Sequence, residues 1–316
     1  MRNKKQVNVF VSDRIHNAGI ELLDSKFNVY KKYELSNDEL LAFISSVCNK
    51  SSLIDVLVIR SNRKLDANFI KALRSSTNIR LICTVSSGFE NVNTEACRKY
   101  KIHYLNVPDG NFISAAKHTF ALILSIAKRL LIKHQEMQSG KFNSVSGENM
   151  ELYDKTIGII GVGRVGSYVA RLAKGLRMKI LGNDIKKSLK NKYTWIKFVS
   201  LNYLLKNSDI ITVHTPLDNS TRNLINHNNI KDIGKNSIII NCARGGIINE
   251  NALYISLKNN KIFYAGIDVF ENEPDINFSF GKLNNVLLTP HIAGKTKESY
   301  KRMAIQAAKQ LINFYK

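Results

Sequence analysis

From residue 7 to about 107, short apolar runs alternate with amphipathic stretches. Val7 to Val11, Asp55 to Ile59, Ile79 to Val85 and Ile102 to Asn106 have the length and composition of strands. Between them, Asn17 to Leu23 and Asp38 to Ile44 have helical spacing, the second with Asn37 or Ser36 as its cap. Pro108-Asp109-Gly110-Asn111 is a turn signal, and the mostly apolar stretch from about Ser114 to Gln138 predicts one long helix. That helix is more apolar than one buried face requires, so the pattern predicts a partner subunit against it, in a homodimer or higher oligomer. A second series begins at Thr156, with strands expected at Ile157 to Ile160, Lys179 to Gly182, Ile210 to Val213, Ser237 to Asn241, Phe263 to Gly266 and Val286 to Leu288. Lys297 to Tyr315 closes the chain as a helix placed to pack back on the first domain.

The alternation predicts an α/β protein with two doubly wound parallel sheets, and 316 residues suit two domains of ordinary size. A hydrophobic content of 44% fits a folded core, and no apolar run reaches the ~20 residues of a membrane span. Val7 to Val11 follows the charged start Met1 to Lys5 without a signal-peptide core, so a cytoplasmic protein is expected. Cys48, Cys83, Cys97 and Cys242 show neither a paired spacing nor histidine partners; reduced thiols, no disulfide framework and no metal site are expected. The net charge of +22 raises the question of nucleic acid. Its cations are spread along the whole chain without a block, aromatic interleaving or a recognisable motif, so no nucleic-acid role is expected.

Candidate chemistry begins at Thr156-Ile157-Gly158-Ile159-Ile160-Gly161-Val162-Gly163-Arg164-Val165-Gly166, a buried strand running through G-x-G-x-x-G into a helix. Gly161 permits the tight turn, Gly163 admits a pyrophosphate close to the backbone, and Gly166 lets helix and strand touch. Asp184 closes the next strand about 20 residues on, placed to accept from ribose hydroxyls and to repel a 2'-phosphate. The expected cofactor is therefore NAD rather than NADP.

Four further signals follow in order: His214-Thr215-Pro216-Leu217, Asn241-Cys242-Ala243-Arg244-Gly245, Gly266-Ile267-Asp268-Val269-Phe270-Glu271-Asn272-Glu273-Pro274, and Pro290-His291-Ile292-Ala293-Gly294. With these motifs the chain resembles the D-isomer-specific 2-hydroxyacid dehydrogenase family over nearly its whole length. The resemblance implies a flavodoxin-like substrate domain, discontinuous over 1–107 and 290–316, and a Rossmann NAD-binding domain over 108–289. It implies a catalytic triad of Arg244, Glu273 and His291. Histidine suits an acid that protonates the C2 oxygen as a 2-keto acid is reduced. Glu273 on its far nitrogen would favour the imidazolium, and the Arg244 fork would bind the substrate carboxylate. It also implies cofactor contacts from Gly161, Gly163, Arg164, Val165, Gly166, Asp184, His214, Thr215, Pro216, Cys242, Ala243, Arg244, Asp268, His291 and Gly294. Asp268 would lie beside the nicotinamide or, on a plainer reading, cap a loop at a strand end. His214 reads as a positioning residue in a cofactor-lining loop, and His118 as a packed or interface histidine.

Substrate contacts are expected from Arg60, Ser61, Ser87, Gly88, Asn111 and Lys141, together with Arg244 and His291. Ser86 to Asn93 resembles the family's glycine-rich carboxylate loop, departing from it at Ser86 and Asn93. Arg60-Ser61, Asn106 to Asn111 and Lys141 resemble the branch that oxidises 3-phosphoglycerate at the first step of serine biosynthesis. A phosphate needs such cations, whereas lactate or glyoxylate does not. The chain ends at Lys316, so no C-terminal regulatory domain is expected. Hydroxypyruvate or glyoxylate reduction is the alternative, and a non-catalytic NAD-sensing, corepressor-like binding protein a further one.

Overall fold

The computed structural model describes residues 6–48, 54–142, 147–276 and 278–316; Met1 to Lys5 and the side chain of Cys48 lie outside them. The chain divides into two units, Met1–Asn111 with Lys295–Lys316, and Phe112–Gly294.

In the first unit β1 (Asn8–Val11), α1 (Asn17–Asp24), β2 (Asn28–Lys31), α2 (Asn37–Cys48), β3 (Val56–Ile59), α3 (Ala67–Ser76), β4 (Leu81–Thr84), α4 (Thr94–Lys99) and β5 (His103–Asn106) alternate. The strands pair in parallel in the order β2-β1-β3-β4-β5, the flavodoxin-like arrangement. Every residue of β3 and β4 is buried, because helices cover both faces of a parallel sheet; their sequences therefore show no polar alternation. β2 has no counterpart among the expected strands. It is an edge strand, Asn-Val-Tyr-Lys, with no fully buried position, and so leaves no apolar run to read. At the start of α2 the Ser36 hydroxyl accepts from Glu39 N–H while the Glu39 carboxylate accepts from Ser36 N–H, which makes Ser36 the cap. Asn93 caps α4 by accepting from Ala96 N–H, a task its amide oxygen performs as an aspartate would.

The second unit opens with α5 (Phe112–Ala127) and α6 (Leu130–Gln138). The single long helix expected over Ser114 to Gln138 is thus broken at Arg129, whose φ is +52°. Ala127 O, which an unbroken helix would commit to residue 131, accepts from Met150 N–H at 2.7 Å instead. α5 buries nine residues, whereas α6 buries none and has no core to hold it in line. There follow β6 (Thr156–Ile160), α7 (Arg164–Gly175), β7 (Lys179–Asn183), α8 (Leu189–Lys192), β8 (Lys197–Phe198), α9 (Leu201–Asn207), β9 (Ile210–Val213), β10 (Ile238–Asn241), α10 (Glu250–Lys258), β11 (Tyr264–Ile267) and β12 (Val286–Leu288). The seven parallel strands run β12-β11-β10-β9-β6-β7-β8, so the order reverses between β6 and β9, where doubly wound sheets bind ligands. The last helix, α11 (Lys297–Phe314), carries a Thr296–Ser299 capping box and belongs to the first unit. Its Ala304, Ala307, Ala308 and Leu311 share a core with Val9, Val11 and Leu81.

Candidate active site

At the mouth of the β6/β9 reversal, Gly161 turns the chain with φ +87°. A Cβ there would lie 2.8 Å from the His214 carbonyl carbon and 2.9 Å from Thr215 Cγ2, so the sequence needs glycine. Gly163 differs: a Cβ on it would meet nothing within 4 Å, and it heads α7 without a side-chain cap. α7 therefore starts beside open space at Gly163, and the first turn of a helix leaves N–H groups with no partner inside the helix. Asp184 accepts from Val162 N–H and Lys186 N–H, both at 2.8 Å. It thereby fixes the glycine loop and retains acceptor capacity for a ribose, since a carboxylate offers about four lone-pair sites. The next side chain, Ile185, is 91% exposed, an apolar surface suited to a flat ring beside that ribose. Thr215 Oγ1 is buried and meets no partner among the described residues. A helix start beside open space, an acid, an apolar ledge and an orphaned hydroxyl fit an adenine dinucleotide.

His214 leads the loop that carries Thr215 and Pro216. Burial pushes its imidazole down to about 3, and its Nε2 lies 2.8 Å from Thr212 Oγ1. A ring held neutral by burial and set against Thr212 acts as a hydrogen-bonding strut in this loop. Cys242 follows β10, its thiol pushed up chiefly by burial and further by the charge of Asp268, against a hydrogen bond with Thr119. It remains a protonated thiol beside Ala243.

β10, β11 and β12 are parallel neighbours, so the segments leaving their C-terminal ends emerge on one side. Arg244 follows β10, Asp268 and Glu273 follow β11, and His291 follows β12. Glu273 Oε2 lies 2.5 Å from His291 Nδ1, and Glu273 Oε1 accepts from Phe270 N–H. Burial works to raise the Glu273 carboxyl, but the hydrogen bonds from His291 and Phe270 outweigh it and hold the group below the usual range. Arg244 donates through Nη1 to Ala243 O at 2.7 Å, and its own carbonyl accepts from Asn241 Nδ2.

Asp268 is fully buried. Its carboxylate accepts from Thr289 Oγ1, Ile292 N–H and Ala293 N–H, and His118 Nε2 stands 3.5 Å away. Burial would raise its pKa; the hydrogen bonds from His118, Thr289 and the two amides reverse the sign and lower it. Because the Thr289 hydroxyl spends its hydrogen on Asp268, its oxygen takes His118 Nε2–H at 3.1 Å. The cluster clamps the turn in which His291 adopts φ +50°, a left-handed conformation unfavourable for a side chain. Sequence reasoning left Thr289 out altogether and read His118 as a packed or interface histidine. The two are 171 residues apart, and no motif spacing links them.

In the first unit the turn after β3 carries Arg60 and Ser61. It is bolted down by a buried pair, Arg63 Nη2 to Asp13 Oδ1 at 2.9 Å, while Asp13 Oδ2 accepts from Arg60 N–H. Arg63 is thus structural, and Arg60 is the cation of this segment that lines a cavity of about 190 Å³, with Arg14, His16 and Tyr300. The Arg60 guanidinium lies 4.9 Å from the Tyr300 ring centre. Ser61 is exposed in the turn. The Ser87 hydroxyl donates to Asn111 Oδ1 at 2.6 Å, joining two of the expected substrate residues, and Ser86 Oγ closes onto Gly88 O. Lys141 is exposed beyond α6 in the second unit, and Gly294 is that unit's last residue. Among the described residues no His, Cys, Asp and Glu group is arranged to hold a metal, and no helix is long and apolar enough to cross a membrane.

Residues 120–293 match the NAD binding domain of D-isomer specific 2-hydroxyacid dehydrogenases. The chain is 35% identical to the D-3-phosphoglycerate dehydrogenase of Methanocaldococcus jannaschii over 96% of its own length, and it spans 57% of that relative. It is 34% identical to the hydroxypyruvate reductase of Thermotoga maritima over 96% of both chains. Among solved structures, a glyoxylate reductase from Paecilomyes thermophila shares the fold, with a TM-score of 0.87 over 99% of this chain and 96% of that one at 24% identity.

Proposed function

Because the chain belongs to the D-isomer-specific 2-hydroxyacid dehydrogenase family, we propose that it is an NAD-dependent oxidoreductase that interconverts a small D-2-hydroxy acid and its 2-keto acid, with 3-phosphoglycerate as the preferred substrate. The reading is carried by the 2.5 Å contact between Glu273 and His291, on a turn that Asp268 clamps beside the strand end bearing Arg244. NAD, when bound at the glycine loop, supplies or accepts the hydride. Glu273 accepts a hydrogen bond from His291 Nδ1–H, which directs Nε2 to give a proton to the C2 oxygen in reduction and to take it back in oxidation. The Arg244 fork pairs with the substrate carboxylate and polarises the neighbouring carbonyl. Asp268, buried and fully engaged, keeps the histidine in register and exchanges no proton.

Arg60, at its cavity in the first unit, is the residue we assign to a substrate phosphate. The second reading, hydroxypyruvate reduction, is supported by the 34% identity to the T. maritima hydroxypyruvate reductase, about as high as that to the M. jannaschii D-3-phosphoglycerate dehydrogenase. NADH oxidation over a panel of phosphohydroxypyruvate, hydroxypyruvate, glyoxylate and pyruvate decides between them. The first should show the highest kcat/KM. His291→Ala should lower kcat about 10²- to 10⁴-fold on every substrate, and Arg60→Ala should raise KM for the phosphorylated one alone. Full turnover by His291→Ala would overturn the acid-base assignment, and an unchanged KM in Arg60→Ala the choice of substrate.

A further inference from the structure

At the N-terminal ends of β6, β7 and β8 the second unit has a groove of about 620 Å³. Its walls include Lys174, Lys179, Lys197, Trp195 and Tyr203, and no acidic side chain lines it. The groove is remote from the dinucleotide loop. α7 begins at that loop and ends, twelve residues later, beside Lys174; such a helix spans about 18 Å.

Cations and rings are interleaved in it. Lys174 Nζ lies 5.2 Å from the Trp195 ring centre and Lys197 Nζ 5.4 Å from that of Tyr203. Behind them Lys192 lies over Tyr193, which meets Trp195 edge to face. Two carboxylates stand nearby: Asp154 pairs with Lys179 at 3.0 Å, and Asp209 is engaged by Thr156 N–H. The three lysines stand at positions 174, 179 and 197, separated by other residues, which is why the sequence shows no basic block there. Folding gathers them.

We propose that this groove binds single-stranded nucleic acid, with Trp195 and Tyr203 stacking bases and Lys174, Lys179 and Lys197 pairing with phosphates. An acidic peptide would use the lysines but has no planar group for the rings, whereas a nucleic-acid strand uses both. Tyr203 is exposed and Trp195 half-buried against the core; stacking a base on an accessible ring face is worth more than holding an exposed ammonium over it, so an arriving base displaces the lysines toward the phosphates.

Trp195 is the chain's single tryptophan, so its fluorescence reports on this groove and not on diffuse attraction to a highly basic surface. The protein is titrated with oligouridylate of about 12 nucleotides, within the usual range of site sizes. Trp195 emission should be quenched, with log affinity falling against log salt at a slope of about −2, as three phosphate contacts require. Lys174→Glu combined with Lys197→Glu should weaken binding at least about tenfold relative to Lys71→Glu, an exposed reversal on α3. Tyr203→Ala should weaken it while leaving the fold, read by circular dichroism, unchanged. The proposal is overturned if the oligonucleotide binds without quenching, if Lys71→Glu weakens it as much as the groove reversals, or if polyglutamate quenches Trp195 equally well.

Discussion

Asp268 shows how much one buried side chain can set. A carboxylate with no exposure survives only if donors surround it, and here a hydroxyl, two amides and His118 do so. Those donors belong to the turn that holds His291, so the energy that keeps Asp268 ionised also keeps the proton donor in place. Its folded pKa lies below the ordinary 3.8, so the stability it contributes is complete above that value and is lost as pH falls through the lowered one. Asp268→Asn should cost about 3 kcal/mol, because a neutral amide cannot accept from all these donors. It should also flatten the acid limb of a plot of Tm against pH, and depress kcat more than it raises KM for NADH. A variant with wild-type Tm and kcat would show that the turn holds without this carboxylate. None of this was legible from spacing. The motif drew attention to Asp268 through a resemblance, and of the two roles weighed for it, the loop clamp is the one its contacts support.

Among the elements, α11 is the clearest case of packing that composition conceals. Half of its buried stripe is alanine, which reads as weakly hydrophobic yet permits close approach. α1 answers with Gly19, where a Cβ would come within 2.6 Å of Ala304 Cβ. Gly19→Leu should therefore destabilise the protein by about 2 kcal/mol or more through overpacking, and Ala304→Gly should recover part of the loss in thermal melts. Additive losses would deny the contact. The strands were mostly legible because parallel sheets bury both faces and leave continuous apolar runs. β2, on a half-exposed edge, was not. The break between α5 and α6 escaped the pattern for another reason: it is made by a hydrogen bond from Met150, outside any helical window.

For the molecule as a whole, the apolar surface that the sequence assigned to one long helix lies partly on α6. That helix buries nothing of its own, yet it exposes Leu130, Leu131 and Met137 by more than half. We propose that a second copy of the chain covers this surface, since exposed large apolar side chains on one short helix are the kind of surface that interfaces bury. Sedimentation should give a dimer at micromolar concentration, and Leu131→Glu should shift it toward monomer; a monomeric wild type would refute the assignment. The two-sheet α/β class, the glycine loop with its acid, and the order of the catalytic motifs were determined by the sequence itself, since each is local: a run, a turn or a short spacing. The contacts that decide what those residues do come from tertiary structure. His118 reaches Thr289, Asp13 takes Arg63 away from any substrate, and two lysines meet two rings in one groove. Each such contact depends on which strands become neighbours, and neighbourhood in a doubly wound sheet is set by crossovers that no linear pattern records.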